Sequence, residues 1–256
     1  MNMIRKILIC LAAMTAAALI NSCEKDNTLQ YNNLTMGNIV NGVFISDQGN
    51  KFNIVGTDYP EGFMEWQRAF ILCDILNKTA GGEDNEYNIR LVQAVKVLTK
   101  DVVDQADVTD EMMTQDPIQI ENAWISGGYI NMLLTLPVKM NSKQPHIINL
   151  MLDDAAQAEG AYKFTLLHNA GGEILKADSS NNDVYLANAY ASFPITSILT
   201  DETATFQLTW TSYKVNGQYM ISADTVEQTY EFNYVKGAFE QAPAEGSAKV
   251  SSFSLR

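Results

Sequence analysis

The side chains in this sequence that could do chemistry are few: two histidines, three cysteines and a scatter of adjacent acids. His146 and His168 could ligate a metal or act as general bases, but neither has a partner at the i, i+4 spacing that puts two ligands on one helical face. Each borders an apolar run, "HIINLML" and "AYKFTLLHN", so the expectation is a hydrogen-bonded structural imidazole. Paired carboxylates could cleave glycosidic bonds. Asp153-Asp154 and Glu83-Asp84 are adjacent pairs, however, and neighbours on a strand point to opposite faces. Asp101, Asp104, Asp107 and Asp110 recur every third residue, without the alternating D-x-D-x-D-G order of a calcium loop. There is no G-x-S-x-G elbow, and Gly81-Gly82, Gly127-Gly128 and Gly171-Gly172 read as turns. No catalytic residue, metal ligand or cofactor is expected, and hence no enzyme.

The thiol with a chemical context is Cys23. Arg5 and Lys6 are the charged side chains of the first 22 residues, and Ile7 to Ile20 form a largely apolar run. That run is short of the roughly 20 residues a membrane-spanning helix needs, but it suits the apolar centre of an export signal. Ile20, Asn21, Ser22 and Cys23 place an aliphatic residue at −3, a small one at −1 and a cysteine at +1, the lipobox pattern. The Cys23 thiol would accept a diacylglyceryl group, and the small Ser22 would let a signal peptidase reach the Ser22–Cys23 bond. Residues 1–22 are therefore expected to be a lipoprotein signal peptide. Two or three acyl chains would then hold the mature chain to a membrane, at about 0.8 kcal/mol per buried methylene. Glu24, Lys25 and Asp26 follow at once and form a candidate surface-export tract. Cys10 leaves with the signal, and Cys73, within "AFILCDIL", is expected to be a small core residue, so no intramolecular disulfide forms.

Charge narrows the partners. The whole chain carries −13; residues 1–22 hold two of its 17 basic residues and none of its 30 acidic ones, which leaves 15 against 30, or −15, after cleavage. Nucleic acid, which needs clustered Lys and Arg, is a poor partner for such a surface. Membrane attachment falls to the lipid on Cys23, because no basic patch offers itself. With 46% hydrophobic residues the chain can bury a core of one large or two small domains.

The elements that must carry these residues read as strands. Residues 23–38 are polar and aperiodic, a flexible tether reaching at most about 50 Å. An N-terminal β domain is expected over 39–103. There "NGVFIS" and "KFNIVG" flank the turn Asp47-Gln48-Gly49-Asn50, followed by "RAFILCDIL" and "YNIRLVQAVKVLT". A helix over "VQAVKVLTKDVV" competes with the last of these. Residues 104–117 read as an acidic linker ending near Pro117. Over 118–236 about seven strands suggest a β-sandwich. In "TATFQLTWTSY", Ala204, Phe206, Leu208 and Trp210 alternate with polar residues, the pattern of a half-buried strand in an antiparallel sheet. Asn216-Gly217 marks a tight turn between "SYKV" and "QYMIS", and "QTYEFNYV" is the last clear strand. Residues 237–256 read as a loose C-terminal tail.

Several short motifs in this frame resemble those of the NigD-like family of Bacteroidetes lipoproteins. They are W-I-x-x-x-Y-I-N at Trp124, Ile125, Tyr129, Ile130 and Asn131; H-I-I-N-L at His146 to Leu150; and L-x-H-N at Leu166, His168 and Asn169. Leu167 departs from the arginine expected just before the last histidine. The resemblance implies an OB-type N-terminal barrel ahead of an antiparallel C-terminal sandwich. Its name implies a bacteriocin-immunity-like role, with no catalytic residues to carry over.

Three functions are then expected, in this order. The first is a non-catalytic lipoprotein of the outer membrane, exposed at the cell surface, whose sandwich binds another protein. The second is a glycan-binding lipoprotein, which would need Trp66, Trp124, Trp210 or nearby tyrosines exposed together. The third is a fimbrial subunit, whose usual arginine cleavage site soon after the tether is missing, since the first arginine past Cys23 is Arg68.

Overall fold

The computed structural model describes residues 30–56, 60–153, 160–176, 183–199, 202–215 and 221–235. Thirteen strands run through them, β1 (Gln30–Val40), β2 (Val43–Ser46), β3 (Lys51–Ile54), β4 (Arg68–Lys78), β5 (Glu86–Thr99), β6 (Val103–Asp104), β7 (Gln119–Ser126), β8 (Tyr129–Lys139), β9 (Ile147–Leu152), β10 (Ala161–Asn169), β11 (Val184–Pro194), β12 (Thr203–Val215) and β13 (Ile221–Val235). The all-β expectation therefore holds. Where a helix competed, Glu86–Thr99 is one strand. Its β-branched and aliphatic residues alternate, and both of its edges find partners.

Strands β1 to β5 close on themselves. The pairings β3–β2–β1–β4–β5 make an open sheet, and a parallel pairing of β3 with β5 joins its ends. This is the strand order of an OB-type barrel. Register shifts at Leu72/Cys73 and Ile75/Asn77 supply bulges where β4 and β5 must bend. Phe44, Phe52, Phe63, Ala69, Ile71, Cys73, Ile89 and Leu91 fill the interior. Cys73 is fully buried there, as expected.

Strand β5 does not stop at the barrel. Its last three residues, Val97 to Thr99, pair in parallel with Tyr190 to Ser192 of β11, and the sheet continues through β8 to β7. The facing sheet runs β13–β12–β10–β9–β6. Between the two sheets lie Ile130, Met132, Leu134, Leu136, Ile148, Leu150, Phe164, Phe193, Phe206 and Leu208, with Trp210 among them. This is the expected sandwich, and within it β10–β12 and β6–β9 are parallel while the long hairpins are antiparallel.

Two boundaries differ from expectation. The tether ends earlier than residue 38, because β1 begins at Gln30 and Asn33 to Asn38 pair with β4 from Cys73 back to Arg68. Backbone pairing there does not need apolar alternation. The two segments expected at the C-terminal end merge, since Ile221–Val235 is one strand paired with β12 from Val215↔Ile221 to Thr203↔Val235. The Asn216-Gly217 turn lies outside the described residues. In the linker, Gln105–Asp107 forms one 3-10 turn and Gln115 bridges to His168 of β10.

The β1–β2 hairpin packs with unusual closeness at Gly37. A Cβ there would sit 2.2 Å from the Ile45 carbonyl oxygen and 2.7 Å from the Ser46 Cα. Gly37→Ala must therefore push β2 away from β1. A loss of about 1–3 kcal/mol is expected in urea unfolding.

Candidate functional site

The residues expected to carry the anchor and export signals, Ser22, Cys23, Glu24, Lys25 and Asp26, lie outside the described residues. What the structure does bring together are two buried polar networks, each built partly from the short motifs.

The first joins barrel to sandwich. Arg68 opens β4 and is fully buried. Its guanidinium donates two bonds to Asp47, Nη1 to Oδ1 at 2.7 Å and Nη2 to Oδ2 at 2.6 Å. Nη1 also reaches Asn38 Oδ1 at 3.0 Å, Nη2 reaches Asn131 Oδ1 at 3.0 Å, and Nε reaches Ser192 Oγ at 3.0 Å. All five N–H donors of the side chain are thus used. The guanidinium carbon lies 4.2 Å from the Tyr129 ring centroid, a cation–π contact. Asn38, Asp47 and Arg68 come from the barrel, and Tyr129, Asn131 and Ser192 from the sandwich. Ser126 completes the ring by donating to Asp47 Oδ2 at 2.5 Å while accepting from Asn131 Nδ2 at 3.0 Å and Trp124 Nε1 at 3.2 Å. Gly127 has φ +59, and a Cβ there would lie 2.3 Å from Asp47 Oδ1, so only glycine lets Asp47 in. Trp124, Tyr129 and Asn131 are the marked positions of the W-I-x-x-x-Y-I-N motif. Nothing in the local sequence marks Arg68 as the residue that Tyr129 and Asn131 meet.

The second network lies at one end of the sandwich and unites the two histidines. His146 Nδ1 is 2.9 Å from His168 Nε2, with the rings stacked 5.2 Å apart. His168 Nδ1 is 3.1 Å from the Asp116 carbonyl, and His146 Nε2 is 3.3 Å from Glu173 Oε2. Glu173 also accepts from the Lys139 N–H at 3.1 Å and from the Ser142 hydroxyl. The protons can be counted along this line. The carbonyl only accepts, so His168 Nδ1 carries a hydrogen and its Nε2, when neutral, accepts from His146 Nδ1–H. His146 Nε2 is then left facing a carboxylate, and the line closes only when that pair holds one further proton. Burial, with His146 beside it, pushes His168 down to about 4. Burial also lowers His146, against the opposing pull of Glu173. Burial raises the Glu173 carboxyl, but Ser142, the Lys139 N–H and His146 outweigh it and hold it below the usual carboxylate range. These groups are nearly inaccessible, with side-chain exposures of 3% for His146 and 4% for Glu173. They face one another, and both imidazoles are hydrogen-bonded.

The remaining candidates stand apart. Glu83 pairs with Lys51 at 2.7 Å and Asp84 with Lys78 at 3.4 Å, both at the surface. Asp154 lies outside the described residues. Among the described residues no group of three or more His, Cys, Asp and Glu could hold a metal ion. Burial, with Asp74 adding, pushes the Cys73 thiol up to about 11, which keeps it protonated and unreactive. The tryptophans do not gather: Trp210 lies in the sandwich core, Trp66 packs edge-on against Phe63 at 5.3 Å on the barrel, and Trp124 sits at the joint.

The family described as NigD-like C-terminal beta sandwich domain matches residues 101–234. No curated protein matches the chain. Among solved structures, a protein of unknown function (DUF1344) from Bacteroides vulgatus is 20% identical with TM-score 0.56, covering 82% of this chain and 93% of that one. A NigD-like immunity protein from Bacteroides caccae is 17% identical with TM-score 0.51, covering 82% and 98%. A protein from Bacteroides fragilis named "Putative lipoprotein" is 13% identical with TM-score 0.55, covering 81% and 99%. At these identities the likeness is one of fold.

Two outcomes are expected from the networks. Arg68→Leu strands Asp47 as a buried, uncompensated charge and should cost about 3–5 kcal/mol in urea unfolding, with Asp47→Leu in the same chain recovering part of the loss. For the histidines the sign follows from proton binding. His168 drops from 6.5 to about 4 on folding, so between those values the unfolded chain binds a proton that the folded one refuses. The contribution of His168 to stability is full above about pH 6.5 and falls as pH drops toward 4, by roughly 3 kcal/mol. Unfolding midpoints across that window should show the slope, and His168→Gln should flatten it.

Proposed function

Because the chain belongs to the NigD-like family through its C-terminal beta sandwich domain, we propose that it is a non-catalytic, lipid-anchored protein of the cell envelope that binds another protein. At family level its role is protection against a bacteriocin. Cleavage before Cys23 and acylation of its thiol attach it to the outer membrane, and Glu24, Lys25 and Asp26 direct it to the cell surface.

One observation carries the non-catalytic reading. The buried ionisable side chains of the joint and the sandwich, Arg68, Asp47, His146, His168 and Glu173, are bonded to one another or to the fold's own polar groups. Such an arrangement spends its polar chemistry on holding the fold, and leaves the work to a surface. The name of the Bacteroides caccae relative supports the immunity role, and that of the Bacteroides fragilis relative supports the anchor. A glycan platform draws less support, because its three tryptophans lie on three different parts of the molecule. The acidic balance argues against nucleic acid.

Protease shaving of intact cells, blotted against the sandwich, tests the address. Wild type should be cleaved on whole cells, and Cys23→Ala should leave the membrane fraction. A membrane-bound but protected wild type would sink the surface assignment and move the partner to the periplasm. A Cys23→Ala chain that stays in the membrane would sink the anchor.

A further inference from the structure

Strand β13 ends its sheet. One side is paired with β12 along its length, and among the described residues the other side makes no backbone hydrogen bond. Sheet edges are ordinarily blunted by charged side chains, lysine above all, by proline, a bulge or brevity, because an open row of N–H and C=O groups recruits further strands. Strand β13 is 15 residues long, carries no Lys, Arg or Pro, and pairs without a register shift from Thr225 to Val235. Its charges are the acids Asp224, Glu227 and Glu231, which discourage like-charged strands and leave the edge open to one of opposite charge.

Its side chains add two features. On the inward face Phe232 and Tyr234 pack against the rim of the core, while Tyr230, its ring 5.5 Å from that of Phe232, is 46% exposed. Opposite Gln228 in the same row, Trp210 is buried, and its indole N–H has no acceptor among the described residues. The outward face is polar and acidic. Glu227, Thr229, Glu231 and Asn233 alternate along it and are exposed, with Glu231 accepting from Gln207 at 2.9 Å.

The charges choose the occupant. Two copies of β13 paired antiparallel about Thr229 would place Glu227 directly opposite Glu231 twice over, and like charges in that position destabilise a ladder. A strand with cations at those positions would gain where a second copy loses. We propose that β13 is the docking edge for an extended segment of another protein that alternates Lys or Arg with apolar residues and adds to this sheet as a further strand. Main-chain bonds would supply affinity. The acids on one face and the Tyr230–Phe232 strip on the other would set register and specificity. The inference rests on the reading of the chain as a protein-binding module and names the face and the partner's chemistry.

The test uses residues 23–256 with Cys23→Ala and two labelled nine-residue peptides, one alternating lysine with valine and one alternating glutamate with valine. The lysine peptide should bind and slow hydrogen exchange of the outward amides of β13. The double variant Glu227→Lys, Glu231→Lys should weaken it at least tenfold and come to prefer the glutamate peptide. Unchanged binding to that variant, or no binding at all, overturns the inference. So does protection confined to strands other than β12 and β13, an outcome that leaves the protein-binding reading standing. Sedimentation showing a dimer through β13 would make a second copy the occupant. A chain ending at Val235 that binds where the full chain does not would make residues 236–256 the occupant. Either result also overturns it. The shaving experiment judges the envelope address separately.

Discussion

A buried arginine dictates how the two halves of this molecule meet. Taking a guanidinium out of water costs several kcal/mol, and the cost is offset only where every donor finds an acceptor in good geometry. Arg68 finds five bonds, to Asn38, Asp47, Asn131 and Ser192. No single strand, and neither half alone, supplies that set. The barrel brings the opposite charge and the sandwich brings Asn131, Ser192 and the Tyr129 ring. Much else at the joint follows. Gly37 lets β2 lie close on β1, so that Asp47, one residue beyond β2, can reach across. Gly127 leaves room for its carboxylate, and Ser126 ties that carboxylate back to Trp124 and Asn131.

The second polar cluster uses a different chemistry for a similar purpose. The joint rests on a guanidinium–carboxylate pair and its amide and hydroxyl neighbours. The histidine line has a proton count that changes within a few pH units. It fastens the linker carbonyl of Asp116, the turn after β8 and the turn after β10 to one another. The molecule therefore has one polar seam between its halves and, at the other end of the sandwich, a second whose strength depends on pH through His168.

Much of this was legible in the residues, and the gaps have physical reasons. The hairpin at Asp47 to Asn50 and the alternation of Phe206, Leu208 and Trp210 are local patterns, and each lies where its pattern put it. Strand β1 begins before any such pattern, because residues 30–38 are held by β4 and carry little apolar alternation of their own. The merging of the final two segments depends on β12 continuing opposite them. The networks were least visible. Arg68 and Ser192 stand 124 residues apart, and His146 and His168 stand 22 apart, and nothing in local sequence states that they meet. The family motifs did mark Asn131 and both histidines, though not what they would touch.

Strand β5 also has a kinetic meaning. The barrel's strands all fall within residues 30–99, so it can close as soon as those residues are available. The three residues at the end of β5 then wait for β11, about 90 residues later, and loop-closure entropy makes such distant parallel pairing slow. Folding therefore has a built-in order, with the N-terminal barrel complete first. During that interval Val97 to Thr99 form an open sheet edge, a brief liability for misassembly that ends when β8 and β11 arrive together as one paired unit.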